Sequence, residues 1–386
     1  MQDVIKLVPH LDIELGFERQ EIEAFLTLPD AGVTPETGII MVLGELGEKA
    51  DSQYQANELR PFLANKLNCI AVGVNFFGIL RANQVNLSQS FFHNLNRLYD
   101  ANITSESLAN KRTMEEVYRA IAEVVLAKGV TSLDLRCQPH LITGKGEYQS
   151  WGFLPAIDCL QVLGEVLRRY DVNHRKIIAF GKNYGAYIAM LMGKYAPHTF
   201  STIIDSEGYS RTELKHVVSG ELMEADYSFH FDLNNGLKFY MASTCNNPWT
   251  IEDETSIAYF SDSHRQVRSL LKEEHRCASE TAYYIVHSEN SETIKDKDKC
   301  VDILQNYNHV VYKRIASIGK PVPDREFLNS LISDDVINFE KTNGDTDFSL
   351  GSIHKFVCCD KIYKFEFSPA GDLHVSINVI GNEKLQ

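Results

Sequence analysis

The sequence predicts an α/β protein with a doubly wound, mostly parallel sheet, and three observations carry that prediction. Short, continuously apolar runs such as Gly38-Ile39-Ile40-Met41-Val42-Leu43 and Cys69-Ile70-Ala71-Val72-Gly73-Val74 read as strands buried on both faces. Helical patterns at 54–67, 113–128 and 154–170 alternate with such runs, as a sheet covered on both sides requires. Finally, Lys176-Ile177-Ile178-Ala179-Phe180 leads through the tight turn Gly181-Lys182-Asn183-Tyr184-Gly185 into the apolar helix beginning at Ala186.

The elements follow in order. Residues 11–17 and 20–28 alternate apolar and polar side chains, which predicts an N-terminal antiparallel hairpin. The strand at 38–43 ends at Gly44, and the helix 54–67 leads to the strand 69–74. Residues 80–112 are polar and rich in Asn and Ser, which predicts a loop or small cap insertion. The strand Thr202-Ile203-Ile204-Asp205 follows the glycine turn and its helix. Within 207–250, the alternation Tyr227-Ser228-Phe229-His230-Phe231 before Asn234-Asn235-Gly236 signals an inserted hairpin. Helix 256–271, strand 282–287, helix 297–306 and strand 309–315 resume the rhythm. Ile362–Phe367 and Leu373–Val379, around Pro369-Ala370-Gly371-Asp372, read as a terminal hairpin. The expected division is one domain over 1–357, with insertions near 80–112 and 207–250, and a hairpin extension over 358–386.

Composition narrows the function. Over 386 residues, 44% are hydrophobic and 23% charged, the balance of a globular chain. The net charge of -14 opposes nucleic-acid binding, which needs a basic surface. No apolar stretch approaches the ~18 residues of a membrane span, and the N-terminus lacks signal-peptide character, so a cytoplasmic protein is expected. The eight cysteines form no C-x-x-C pair and are expected to be reduced. Neither a metal motif, a P-loop nor a G-x-G-x-x-G after a strand is present, so no cofactor is expected.

A strand, a Gly-x-x-x-Gly turn and a helix make a nucleophile elbow. Its centre should be Ser, Cys or Asp, yet it is Asn183, whose amide cannot serve as the nucleophile. In such a sheet the chemistry sits at the carboxyl ends of the strands, in the chain order nucleophile, acid, histidine. After the strand 282–286 comes His287-Ser288-Glu289-Asn290-Ser291-Glu292, with Ser291 at the acid position and Glu289 or Glu292 within a few residues of it. The histidine position falls at Asn343-Gly344. Gly44, Glu45, Asn183, Tyr184 and Phe76 are expected to line the cleft. A carboxylate at Glu45 would repel the oxyanion that this turn normally stabilises.

Together with Gly44-Glu45-Leu46-Gly47, Leu59-Arg60-Pro61-Phe62-Leu63-Ala64 and Val74-Asn75-Phe76-Phe77-Gly78-Ile79, this pattern resembles the α/β-hydrolase superfamily, and within it the bacterial DUF2920 family. The resemblance covers roughly residues 35–357. Members of that family carry G-x-S-x-G at the elbow, a G-x-G-type turn after the third strand and a late His-Gly. This chain departs from them at Asn183, Ser291 and Asn343. The resemblance also implies a gene neighbourhood of flagellin glycosylation and motility. Two functions are therefore open. One is a catalytically degenerate binding or accessory protein, with a small ligand, glycan or protein partner. The other is a hydrolase or acyltransferase with a rearranged site, using Ser206 as nucleophile with Asp205 or Glu289 and His287.

Overall fold

The computed structural model describes residues 2–79, 87–111, 113–130, 132–141, 144–218, 221–222, 227–232, 238–245, 247–288, 309–315, 324–333 and 339–381. The described strands are β1 (Gln2–Leu7), β2 (Ile22–Thr27), β3 (Gly38–Leu43), β4 (Cys69–Asn75), β5 (Ser132–Leu141), β6 (Ile177–Lys182), β7 (Thr202–Ser206), β8 (Tyr227–Asp232), β9 (Lys238–Cys245), β10 (Ala282–Ser288), β11 (Val310–Ile315), β12 (Ile353–Cys358), β13 (Lys361–Phe367) and β14 (Leu373–Val379). The described α-helices are α1 (Arg60–Leu67), α2 (Gln89–Tyr99), α3 (Met114–Ala127), α4 (Phe153–Arg169), α5 (Tyr184–Tyr195), α6 (Leu214–Val217), α7 (Asp262–Val267), α8 (Asp324–Ser333) and α9 (Asp347–Leu350).

The chain divides into two compact units. The first comprises Met1–Ile79, Trp151–Thr212 and Ser261–Gln386, and the second Leu80–Ser150 and Glu213–Phe260. The first unit holds an eight-stranded sheet in the order β1-β2-β4-β3-β6-β7-β10-β11. β1, β2 and β4 pair antiparallel, and every pair from β4 to β11 is parallel. The apolar runs of β3, β4 and β6 are buried because helices cover both faces. Leu63, Ala64 and Leu67 of α1 and Leu328 and Leu331 of α8 pack with Ile40, Val42, Ile178 and Phe180 on one face. α4 and α5 touch each other and pack against strands of the same sheet.

Every residue of α5 is buried, so its apolar character extends all the way round. Part of its cover is a three-stranded antiparallel sheet, β12-β13-β14. Phe365 stacks on Tyr195 at 4.4 Å, and Phe153 meets Tyr363 edge-on at 5.5 Å. Each such aromatic pair contributes about 1 kcal/mol beyond its burial. The turn after β13 comes so close that a Cβ on Gly164 would lie 2.1 Å from the Gly371 carbonyl oxygen. Lys194, on this buried helix, donates to the carbonyls of Gln266, Val267 and Ser269, and burial lowers its pKa to about 7.

The second unit holds the sheet β5-β9-β8. Its core joins Phe91 and Leu95 of α2, Val117, Ile121 and Val125 of α3, and Phe239 and Met241 of β9. A capping box between Thr113 and Glu116 starts α3.

Several expectations need correction. The N-terminal hairpin pairs β1 with β2, whereas residues 11–17 form no strand. They form a loop pinned by buried groups: the Asp12 carboxylate accepts from the Glu14 and Leu15 amides, and Glu14 pairs with Arg268. The expected loop at 80–112 contains α2, whose polar residues sit on its outer side around buried Phe91 and Leu95. Helix 256–271 shrinks to α7, and the terminal hairpin gains β12 as a third strand. β8 and β9 do pair antiparallel, while the Asn234-Asn235-Gly236 turn and the helix at 297–306 lie outside the described residues. Residues 358–381 belong to the first unit, and the second unit draws on 80–150 and 213–260. Among the described residues no helix is long and apolar enough to cross a membrane.

Candidate functional site

The elbow forms where β6 runs into α5. Asn183 has φ 48° and ψ −113°, a conformation that costs a non-glycine residue ~1–3 kcal/mol. The surroundings impose it. The Asn183 amide donates to the Ser206 carbonyl at 2.8 Å, and the Asn183 carbonyl accepts from the Tyr187 amide at 3.2 Å. A Cβ on Gly181 would lie 2.3 Å from the Gly185 carbonyl carbon, and one on Gly185 would lie 2.2 Å from the Leu43 carbonyl oxygen. Both glycines are therefore demanded by backbone contact at this turn.

Facing the elbow is the turn after β3, where an oxyanion hole takes its second N–H in this fold. Here the Glu45 amide donates to the Glu48 carboxylate at 3.3 Å. Gln55 holds the other Glu48 oxygen through its side-chain amide at 3.3 Å. The Arg60 guanidinium, 2% exposed, donates to the Ala50 carbonyl, and the Asn75 side chain accepts from the Ala50 amide. Burial lowers the Arg60 pKa to about 10, and a Cβ on Gly73 would lie 2.7 Å from its Nη1. Gly44 is equally constrained, since a Cβ there would meet the Glu48 carbonyl at 2.8 Å. The Glu45 carboxylate pairs with Lys182 beside the elbow at 2.8 Å. The turn is thus fixed, negatively charged and tied to the residue preceding Asn183.

At the ends of the neighbouring strands, Asp205 is fully buried and its carboxylate accepts from the Gly208 amide at 2.7 Å. Ser206 pairs with Lys182 on one side and Val286 on the other. Next to it Glu207, at φ 61°, places its carboxylate 3.3 Å from Nδ1 of His287 and accepts from the Ser288 amide at 2.5 Å. His287 is fully buried.

Asn183, Gly44, Glu45, Asp205, Ser206 and His287 therefore gather at the carboxyl ends of β3, β6, β7 and β10. Ser291 and Glu289 lie outside the described residues. Asn343 is elsewhere: it lines a cavity with Pro197, His198 and Glu280, all just ahead of β7 or β10, at the amino ends of the strands. The Lys341 backbone and side chain pin that segment by donating to Arg175 and His198 carbonyls. Tyr184 and Phe76, expected to line the cleft, are 2% and 1% exposed and pack into an aromatic layer with Trp151. The Tyr184 hydroxyl accepts from the Gly152 amide, holding a turn in which Trp151 has φ 47°.

Sequence reasoning missed Glu207 and Glu48. Glu207 was detectable as the residue directly after an apolar strand, where a side chain reaches the carboxyl edge. Glu48 gave no signal, because its role depends on how the 44–52 loop folds back.

The strand order, the elbow and the loops at the carboxyl edge define an α/β-hydrolase fold. The chain belongs to the family described as "Protein of unknown function (DUF2920)", whose model matches residues 5–328. Among solved structures it is similar to Est1E from Butyrivibrio proteoclasticus with bound ferulic acid, at 10% identity and a TM-score of 0.41, covering 81% of this chain and 93% of that one. It is similar to an arylesterase at 12% identity and a TM-score of 0.45, covering 88% and 86%. An acylaminoacyl peptidase from Pyrococcus horikoshii shares 11% identity at a TM-score of 0.47, covering 89% of this chain and 42% of that one. No curated protein matches the sequence.

Proposed function

We propose that this chain is a cytoplasmic bacterial accessory protein that uses a hydrolase-type cleft for binding and not for bond cleavage. The observation that carries the reading is the elbow itself: its backbone holds the strained geometry of a nucleophile, yet the side chain there is the Asn183 amide. Three further points support it. Glu48 occupies the Glu45 amide, where a developing oxyanion would need a free donor. The histidine is due after the last parallel strand, β11, and residues 316–333 contain no histidine. Asn343, the other position for it, lies at the far edge of the sheet.

An amide at the elbow offers both donors and an acceptor, and the Glu45–Lys182 pair beside it adds charge. That chemistry suits a hydroxyl-rich ligand such as a glycan, in keeping with a role in surface-appendage modification. The Glu207–His287 pair favours one competing reading, an acyl hydrolase with Ser206 as nucleophile. Steady-state assays over ester, thioester and peptide substrates separate the two. The binding reading expects no turnover above buffer in the wild type; turnover that disappears in Ser206→Ala would establish the other.

A further inference from the structure

We propose that His198, Asp347 and His354 form a binding site for one divalent cation of the zinc class, at the amino ends of the strands and independent of the elbow. Their donor atoms lie within 4.8 Å of one another. Asp347 is fully buried at the start of α9, and its two oxygens have different duties. Oδ2 accepts from the His198 amide at 2.9 Å and from the Thr199 hydroxyl at 2.7 Å, which fixes the carboxylate. Oδ1 faces Nε2 of His354 at 2.7 Å.

The three ligands come from well-tied segments: His198 from the turn between α5 and β7, Asp347 from a capped helix start, and His354 from β12. Two imidazoles and one carboxylate are a zinc-type donor set, and three protein ligands leave a fourth position open. His198 also lines a cavity of about 330 Å³, together with Lys341 and Glu280. On the far side of the His354 ring, Cys277 Sγ lies 3.9 Å from Nδ1. A partner on Nδ1 directs the Nε2 lone pair toward the ion, as outer partners of metal-bound imidazoles do. Without a metal, a proton joins Asp347 to His354. The cation would displace that proton, and an ion held ~2 Å from each ligand would part Oδ1 and Nε2 from their 2.7 Å separation.

The test uses full-length protein stripped with chelator, then titrated with Zn2+ by calorimetry and with Co2+ by visible absorption. One ion per chain is expected, with the intense visible bands of four-coordinate Co2+ and a Tm that rises with Zn2+ concentration. His198→Ala and His354→Gln, each checked for folding by circular dichroism, should weaken binding by at least ~100-fold, whereas Cys277→Ser, loss of an outer partner, should cost ~10-fold. Wild-type protein that takes up no ion would overturn the site, leaving Asp347–His354 a plain ion pair. Binding that survives both folded histidine variants would do the same. Neither result bears on ester turnover, so the elbow reading stands or falls separately.

Discussion

At the scale of single residues, Asn183 sits where glycine would be most comfortable. Its angles are close to those of the first central position of a type II′ turn, which glycine adopts freely. Asn183→Gly should therefore stabilise the fold by about 1 kcal/mol in urea denaturation. Unchanged or lower stability would show that the side chain itself contributes to folding. Restoring a hydroxyl with Asn183→Ser should leave ester hydrolysis at background, because the Glu48 carboxylate still occupies the Glu45 amide. Gly185→Ala is expected to be severe, about 3 kcal/mol or more, since the new methyl would collide with the Leu43 carbonyl. Two buried histidines set a pH response. Burial, then the Arg268 and Lys361 charges, lowers His264 to about 2, and burial, then the Lys194 charge, lowers His275 to about 4. Both stay neutral in the fold while the unfolded chain takes up protons below its ordinary value of 6.5. Stability is thus lost as pH falls from 6.5 toward 4, by about 2 kcal/mol per histidine at pH 5. A wild-type minus His264→Gln comparison of stability against pH should show that slope shrinking.

At the scale of elements, the N-terminal segment shows why a pattern can mislead. Residues 11–17 alternate like a strand but form a loop whose polar members turn inward: Asp12 and the Glu14 side chain are buried, while Leu11 and Phe17 are 65% and 49% exposed. That loop is tied down by two buried ion pairs, Glu14–Arg268 at 2.5 Å and Arg19–Asp158 at 2.6 Å. Asp158 also accepts from the Phe77 amide, so one carboxylate joins the N-terminal loop, α4 and the end of β4. Breaking such a pair strands a buried charge. Arg268→Met alone should cost about 3–5 kcal/mol, and adding Glu14→Leu should recover much of that loss. Equal or greater loss in the double variant would show that packing around Glu14 matters more than its charge. The parallel strands were legible because burial on both faces leaves uninterrupted apolar runs. β12 was not: Ile353 and Val357 face outward while the polar His354 is half-buried, so its apolar residues trace no strand pattern in sequence, and only its partners β13 and β14 reveal it.

At the scale of the whole molecule, order along the chain places Asn183, Ser206 and His287 at one edge of the sheet, since carboxyl ends of parallel strands share an edge. The sequence made that much readable. It could not place Asn343, because the path from β11 to the C-terminal sheet follows long-range contacts such as Lys341 with Arg175 and His198. Nor could it show that α5 is buried on all sides, because the C-terminal sheet that covers it lies 170 residues further on in sequence, as with Tyr195 and Phe365 (365 − 195). The molecule thus keeps the architecture that positions a nucleophile while carrying an amide in its place. The most direct measurement is intact-mass spectrometry of the wild-type chain after exposure to a fluorophosphonate that modifies activated serines. The mass should be unchanged by the probe. Stoichiometric addition of one phosphonyl group, mapped to Ser206 or any other serine, would contradict it.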